Sequence, residues 1–255
     1  LYTQLVGAYL LSRFLFAAFY RPPKPRTDDL PTLTVIIPAF NEEDYIQKTL
    51  MHVMEAEYPG EKLQVIVVND GSTDNTLEEI KQAREEYPEV ILVNFTESRG
   101  KRAALAAGSR MATGDILAFM DSDSFLETRA LRHIVDGFAD PRVGGVSGHC
   151  DVANAWPNIL TRMQAVRYYI SFRVMKAAES IFDSVTCSSG PLSAYRRDVL
   201  MNVLDRWEKQ RFLGRPATFG DDRSLTNFVL ENHYKVIYDS RAVTCTIAPE
   251  DYMTF

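Results

Sequence analysis

The chain reads as an α/β protein with a mostly parallel central sheet flanked by helices, and three observations predict this. Four apolar, β-branched runs at 33–37, 63–68, 90–95 and 115–120 are separated by stretches of helical periodicity. Runs apolar on both sides belong to strands buried on both faces, as in a parallel sheet covered by helices. The polar residues Asn41, Glu42, Asp70, Asp74, Lys101, Asp121 and Asp123 all fall where those strands end, and open α/β sheets bind ligands there.

With 255 residues and 46% hydrophobic content, the chain can bury one large core. Residues 1–20 are almost wholly apolar, broken by Gln4, Ser12 and Arg13, and are followed by Arg21, Lys24 and Arg26. That length with aromatic and basic flanks has the form of a transmembrane helix, the C-terminal part of an N-terminal membrane region, with residues 21–255 facing the cytosol. A buried helix is the alternative, and Arg13 is the main objection to a span. A signal peptide would carry its charges before the apolar run, not after it. Residues 21–32, rich in Pro and charge, read as a linker, and 33–255 as one catalytic domain.

The first strand stops at Pro38, and a helix is expected over 44–57. The second strand is followed by a charged helix over 76–86, the third by an Ala-rich helix over 101–111. Beyond the fourth strand the alternation loosens. Residues 157–182 form a long helical stretch in which Ile159, Leu160, Met163, Val166 and Tyr169 interleave with Arg162, Arg167, Arg173 and Lys176. This suits either an amphipathic helix packed on the domain or a basic helix at a membrane interface. A helix over 224–232 and a strand over 234–238 close the pattern.

A net charge of −6 gives no basic face for nucleic acid, so no nucleic-acid partner is expected. Cys150, Cys187 and Cys245 are odd in number, widely spaced and without Cys-x-x-Cys, which indicates neither a disulfide framework nor a zinc site and suits a reducing, cytosol-facing location. His149 beside Cys150 lacks metal-ligand spacing and reads as structural.

The fourth strand ends in Asp121-Ser122-Asp123, two carboxylates one residue apart. Neutral turn residues would close a strand equally well, so the acids point to a hard cation, Mg²⁺ or Mn²⁺, shared with a diphosphate. Gly220-Asp221-Asp222-Arg223 is a second acidic cluster, readable as a helix start or as the source of a base. Asn69-Asp70-Gly71-Ser72-Thr73-Asp74 reads as a turn with a helix cap, or as a site where Asp70 accepts the imide N–H of a uracil ring. Ser98-Arg99-Gly100-Lys101-Arg102 opens a helix, where backbone amides favour anions, or is a solvated basic turn.

Taken in order, Pro38-Ala39-Phe40-Asn41-Glu42, the Asp70 motif, Gly100-Lys101-Arg102, Asp121-Ser122-Asp123 and Gly220-Asp221-Asp222-Arg223 resemble the family 2 inverting glycosyltransferases of GT-A fold. Cys187-Ser188-Ser189-Gly190-Pro191 and Phe212-Leu213-Gly214 are similar to the membrane-embedded (class I) hyaluronan synthase branch, and Asp221 favours it over the chitin-oligosaccharide synthases, which tend to carry Glu there. The resemblance implies transfer from UDP-GlcNAc and UDP-GlcA to a growing polysaccharide at the plasma membrane, with a lipid bilayer as a further partner. It implies that Ala39, Asn41, Glu42, Asp70, Lys101 and Asp121 hold the UDP, that Asp123 binds the metal, and that Asp222 is the general base. Cys187, Ser188, Ser189, Gly190, Asp221 and Arg223 are then acceptor-side residues. In that family a Gln-x-x-Arg-Trp motif and further membrane helices come soon after the position of Pro249, so the chain is expected to be part of a longer protein. The alternatives are a chitin or chitin-oligosaccharide synthase using UDP-GlcNAc alone, a truncated UDP-sugar-binding module without activity, and a soluble transferase.

Overall fold

The computed structural model describes residues 2–26, 29–217 and 219–251. Leu1 of the expected span, Thr27 and Asp28 of the linker, Thr218 and the final residues 252–255 of the expected catalytic segment lie outside the described residues.

The four anticipated strands form the parallel half of the sheet: β1 (Leu33–Ala39), β2 (Leu63–Asn69), β3 (Ile91–Asn94) and β4 (Ile116–Phe119), ordered β3-β2-β1-β4. β1 is buried along its whole length, as its unbroken apolar run requires. Pro38 stays within it because its missing N–H falls beyond the β1–β4 ladder, which ends at Ile36 and Phe119. The other half is not parallel throughout. It contains β5 (Ser124–Leu126), β6 (Val143–Val152), β7 (Ser193–Arg196) and β10 (Lys235–Thr246), giving the order β3-β2-β1-β4-β7-β6-β10-β5. β7 runs antiparallel to both β4 and β6, and β5 antiparallel to β10, so the sheet is mixed. A small hairpin of β8 (Arg211–Phe212) and β9 (Arg215–Pro216) stands apart.

Helices cover both faces. On one, α2 (Ile46–Met54), α3 (Thr76–Glu86) and α5 (Ala130–Ile134) bury Ile46, Leu50, Ile80, Leu131 and Ile134. On the other, α4 (Lys101–Met111), α8 (Arg197–Glu208) and α9 (Asp221–Glu231) bury Leu105, Leu200, Leu204, Trp207 and Val229. The stretch expected as one helix over 157–182 is α6 (Ile159–Tyr169), a π-helical segment (Ile170–Lys176) and α7 (Ala177–Ser180). Asn158 starts it with a capping box, its side chain accepting from the Thr161 N–H at 3.0 Å. Ile159, Met163 and Val166 of α6 stay exposed.

The transmembrane expectation for residues 1–20 finds no support. Among the described residues no helix is long and apolar enough to cross a membrane. α1 (Tyr2–Phe19) has 18 described residues, and its apolar run is broken by Gln4, Ser12 and Arg13. It packs alongside α7 and the π-helical segment. Phe16 meets Phe182 edge-on at 5.0 Å, and just past the helix Tyr20 donates to the Tyr238 carbonyl at 2.9 Å.

Candidate active site

The carboxyl ends of β1, β2 and β4 open into a cavity of ≈230 Å³ lined by Pro38, Ala39, Phe40, Glu42, Asp70, Lys101, Asp121, Ser122 and Asp123. Six of the donor-side residues picked out by sequence are therefore together: Ala39, Glu42, Asp70, Lys101, Asp121 and Asp123. Asn41 is not among the lining residues. It takes a left-handed backbone (φ 56°), accepts from the Thr73 N–H at 2.8 Å and donates its own N–H to Ser72 Oγ at 3.0 Å. It ties the loop after β1 to the loop after β2.

Asp70 at the tip of β2 is buried. Its carboxylate accepts from Arg99 N at 2.7 Å, Ser98 Oγ at 2.8 Å and Gly100 N at 2.9 Å. It thus organises the turn that launches α4. A carboxylate has about four acceptor positions, so three protein bonds leave room for a ligand donor. Gly71 allows the turn: its φ is +68°, and a Cβ there would lie 2.4 Å from the Glu97 carbonyl carbon.

Lys101 at the start of α4 reaches across to Asp121 Oδ1 at 2.5 Å. Burial works against its ammonium, but the Asp121 and Asp222 carboxylates outweigh that and hold its pKa above the usual range. Glu42 is pushed up to about 7, first by burial and then by the charges of Asp123 and Asp121. Burial, followed by Asp121, also raises Asp123, whose carboxylate receives a long 3.5 Å contact from Ser124 Oγ. With Asp70, four carboxylates and one ammonium line the cavity, and the carboxylate oxygens of Glu42, Asp121 and Asp123 are of the kind that suits Mg²⁺ or Mn²⁺. Among the described residues no group of three or more His, Cys, Asp or Glu side chains is arranged to hold a metal by itself. A cation here would draw its remaining ligands from the substrate.

The second acidic cluster lies beside the first. Gly220 has a left-handed backbone (φ 72°), and α9 begins directly after it at Asp221. Asp222 Oδ2 accepts the Gly190 N–H at 2.9 Å, and the Gly190 carbonyl accepts the Asp121 N–H at 3.1 Å. One glycine therefore joins the donor-side acid to the candidate base, and a Cβ on it would sit 2.4 Å from Asp121 Oδ2. Burial raises the proton affinity of Asp222, Lys101 opposes the rise and Asp121 adds to it, leaving the pKa above the usual carboxylate range. Asp221 is not brought to this side: its carboxylate turns to Arg102, at 2.5 Å.

Cys187, Ser189 and Arg223 line a second cavity of ≈340 Å³, facing Gln164, Arg167, Tyr168, Phe172 and Lys176. Tyr168 and Phe172 are stacked at 6.0 Å. Lys176 is buried and donates to the Cys187 carbonyl, and burial lowers its pKa while raising that of the Cys187 thiol. The hydroxyls of Ser188 and Ser189 are buried without a hydrogen-bond partner among the described residues. Ser188 is fixed through its backbone, which donates to Thr226 Oγ1 at 2.9 Å. His149 lies apart from both cavities' linings, buried with Nδ1 2.7 Å from the Tyr238 hydroxyl.

Sequence reasoning overlooked Lys176 and Arg102 as parts of this site. Lys176 carries no local signal beyond its place in an amphipathic stretch. Arg102 comes directly after Lys101 in a basic turn that a solvated surface would also show.

The comparisons agree with this architecture. The chain is 34% identical to an N-acetylglucosaminyltransferase of Rhizobium meliloti (strain 1021) and 32% identical to a hyaluronan synthase of Streptococcus pyogenes, each match covering 98% of this chain. It spans 60% of the length of each of these relatives. Among solved structures, a mannosyltransferase of Pyrobaculum calidifontis in complex with GDP-Man and Mn²⁺ superposes with a TM-score of 0.72 at 28% identity, over 98% of this chain and 68% of its own. TarS of S. aureus, in complex with UDP-GlcNAc, shares the fold at a TM-score of 0.65 and 17% identity, over 88% of this chain and 60% of its own. The profile of glycosyl transferase family 2 matches residues 34–204, which take in the whole donor-side cavity, and the chain belongs to that family.

Proposed function

We propose that the chain is the catalytic part of a processive glycosyltransferase of the hyaluronan synthase type, moving sugars from UDP-GlcNAc and UDP-GlcA to a growing polysaccharide. One observation carries the reading: Gly190 bonds to the Asp222 carboxylate at 2.9 Å and to the Asp121 backbone at 3.1 Å. That contact sets a carboxylate of raised proton affinity against the acid that faces the donor. In the reaction the acceptor hydroxyl oxygen attacks the anomeric carbon of the donor, and Asp222 takes the hydroxyl proton as the new bond forms. The bond to the diphosphate oxygen breaks in line, the electron pair leaves with the UDP, and the configuration inverts. Lys101 meets the charge developing on the leaving group. Mg²⁺ or Mn²⁺, held by Asp123 with Asp121 and Glu42 nearby, would supply Lewis-acid stabilisation of that same charge.

The acceptor enters through the second cavity, whose aromatic pair and three cationic side chains, Arg167, Lys176 and Arg223, suit a sugar chain bearing carboxylates. In this reading the domain lies on the cytosolic face of the plasma membrane. The exposed Ile159, Met163 and Val166 of α6, with Arg162 and Arg167 beside them, support contact with a bilayer surface.

In the intact protein, Asp222→Asn abolishes transfer while UDP binding survives; loss of UDP binding instead would remove the base assignment. A polymer assay with each UDP-sugar alone and then with the pair identifies the product. Polymer from UDP-GlcNAc alone moves the reading to a chitin-type synthase, and no polymer under any condition removes it.

A further inference from the structure

We propose that Arg102 is a positioning residue for the transfer step, holding Asp222 in place through Asp221 and linking it to the donor-side contact of Lys101. The inference rests on the assignment of Asp222 as the base.

Arg102 is only 7% exposed, an unusual state for an arginine. Its Nε and Nη2 both donate to Asp221 Oδ1, at 2.8 and 2.5 Å, and its Nη1 donates to the Trp207 carbonyl at 3.1 Å. The fully buried Trp207 donates its indole N–H to the Asp221 carbonyl at 3.1 Å. Asp221 is therefore gripped at both its side chain and its backbone. The residue before it, Gly220, is a left-handed glycine that adds no stiffness from the loop side. The clasp of Arg102 and Trp207 fixes the first turn of α9.

Successive helical side chains point about 100° apart, so locking Asp221 towards Arg102 sets the direction in which Asp222 faces Gly190. Lys101, adjacent to Arg102 on α4, holds Asp121 at 2.5 Å. Two consecutive residues of one helix turn thus hold the donor-side acid and the helix that carries the base. Stability alone does not call for a buried ion pair, since well-packed apolar residues commonly serve as well. A fixed geometry does.

The test compares wild type, Arg102→Met, Arg102→Lys, Asp221→Asn, the Arg102→Met/Asp221→Asn double variant and Asp222→Asn in the intact protein. It reads kcat and donor KM for sugar transfer, UDP affinity by calorimetry, and Tm. Arg102→Met is expected to lose roughly 100-fold in kcat, the scale of a 1 Å misplacement, with UDP affinity changed less than about twofold. Arg102→Lys recovers part of the loss, and the double variant is no worse than the poorer single one. A folded Arg102→Met with near wild-type kcat, a loss of UDP affinity that matches the loss of kcat, or additive single losses would each overturn the inference. If Arg102→Met does not fold, Arg102→Lys and Asp221→Asn carry the same readouts. Transfer that survives Asp222→Asn removes the base assignment and this inference with it, whereas an inactive Asp222→Asn beside a fully active Arg102→Met removes the inference alone.

Discussion

Replacing Gly190 with Ala separates packing from chemistry at the junction of the two acids. The added Cβ would lie 2.4 Å from Asp121 Oδ2, 2.8 Å from Oδ1 and 2.9 Å from Cγ. Ordinary contact needs about 3.5 Å between such atoms, so the carboxylate must retreat by roughly 1 Å. Everything it meets first is the end of a side chain rather than backbone, so relief comes by rotating Asp121 away from the Lys101 ammonium. The folding cost is therefore modest, about 1–2 kcal/mol, at the low end for overpacking. The cost to transfer is larger, because Asp121 leaves the donor cavity and the 2.9 Å bond that aims Asp222 is disturbed. Displacing positioned groups by that distance should lower kcat/KM roughly 100-fold. The assay pairs initial transfer rates with thermal melts. A Gly190→Ala protein with near wild-type transfer would refute the claim that this glycine is kept for space beside Asp121. A protein that loses activity only because it has unfolded would refute the low stability cost.

Glu42 should make stability depend on pH. Its folded pKa is raised to about 7 from an ordinary 4.5, so folding takes up a proton between those values and stability falls as pH rises through that window. Melts of Glu42→Gln against wild type are expected to show an advantage for the variant that is small at pH 4 and grows towards pH 8; a constant offset contradicts the assignment. Arg241 pairs at 2.7 Å with Asp239, which is fully buried, and at 2.8 Å with Asp136. Arg241→Met leaves two acids without that partner and should cost about 3–5 kcal/mol in denaturant unfolding. Gly71→Ala meets both a left-handed φ of +68° and backbone at 2.4 Å. It should cost about 3 kcal/mol, with a melt unchanged from wild type as the refuting result.

The parallel half of the sheet was legible because β1, β2 and β4 are mostly buried strands written in continuous apolar runs. The other half was not, for reasons visible in its packing. β6 carries Gly144, Gly145 and Gly148 where a strand signal needs side chains, and neighbours fill the space: a Cβ on Gly144 would lie 2.6 Å from Tyr234 Cβ. β10 runs to Thr246 rather than stopping at 238, and Asp239 and Arg241 within it pair with each other at 2.7 Å. α8 is a different case. Val199, Leu200, Val203, Leu204 and Trp207 are all buried at helical spacing, so its signal is present in the sequence even though the pattern of strands and helices there is loose. In α1 the apolar stretch with Arg13 in its middle forms a helix, and among the described residues no helix is long and apolar enough to cross a membrane.

In the site, residue types were legible and directions were not. Asp121, Asp123, Asp70 and Lys101 came from the ends of elements whose positions a parallel sheet dictates, so topology alone brings them together. Asp221 and Asp222 are chemically identical neighbours, and residue type alone does not say which faces the reaction; the expectation of Asp222 as base came from the family resemblance. That choice depends on α9 starting at Asp221, three residues before the helix expected over 224–232, with both acids in its first turn, where they favour the helix dipole. Starting there, one carboxylate meets the buried guanidinium of Arg102 and the other meets Gly190. Arg102 lies 119 residues from Asp221 along the chain, so its effect on which acid is free arises only once α4, α8 and α9 pack around Trp207. Under the proposed mechanism the base is thus selected by tertiary structure: Arg102 holds the Asp221 carboxylate, while Asp222 Oδ2 faces Gly190 beside Asp121.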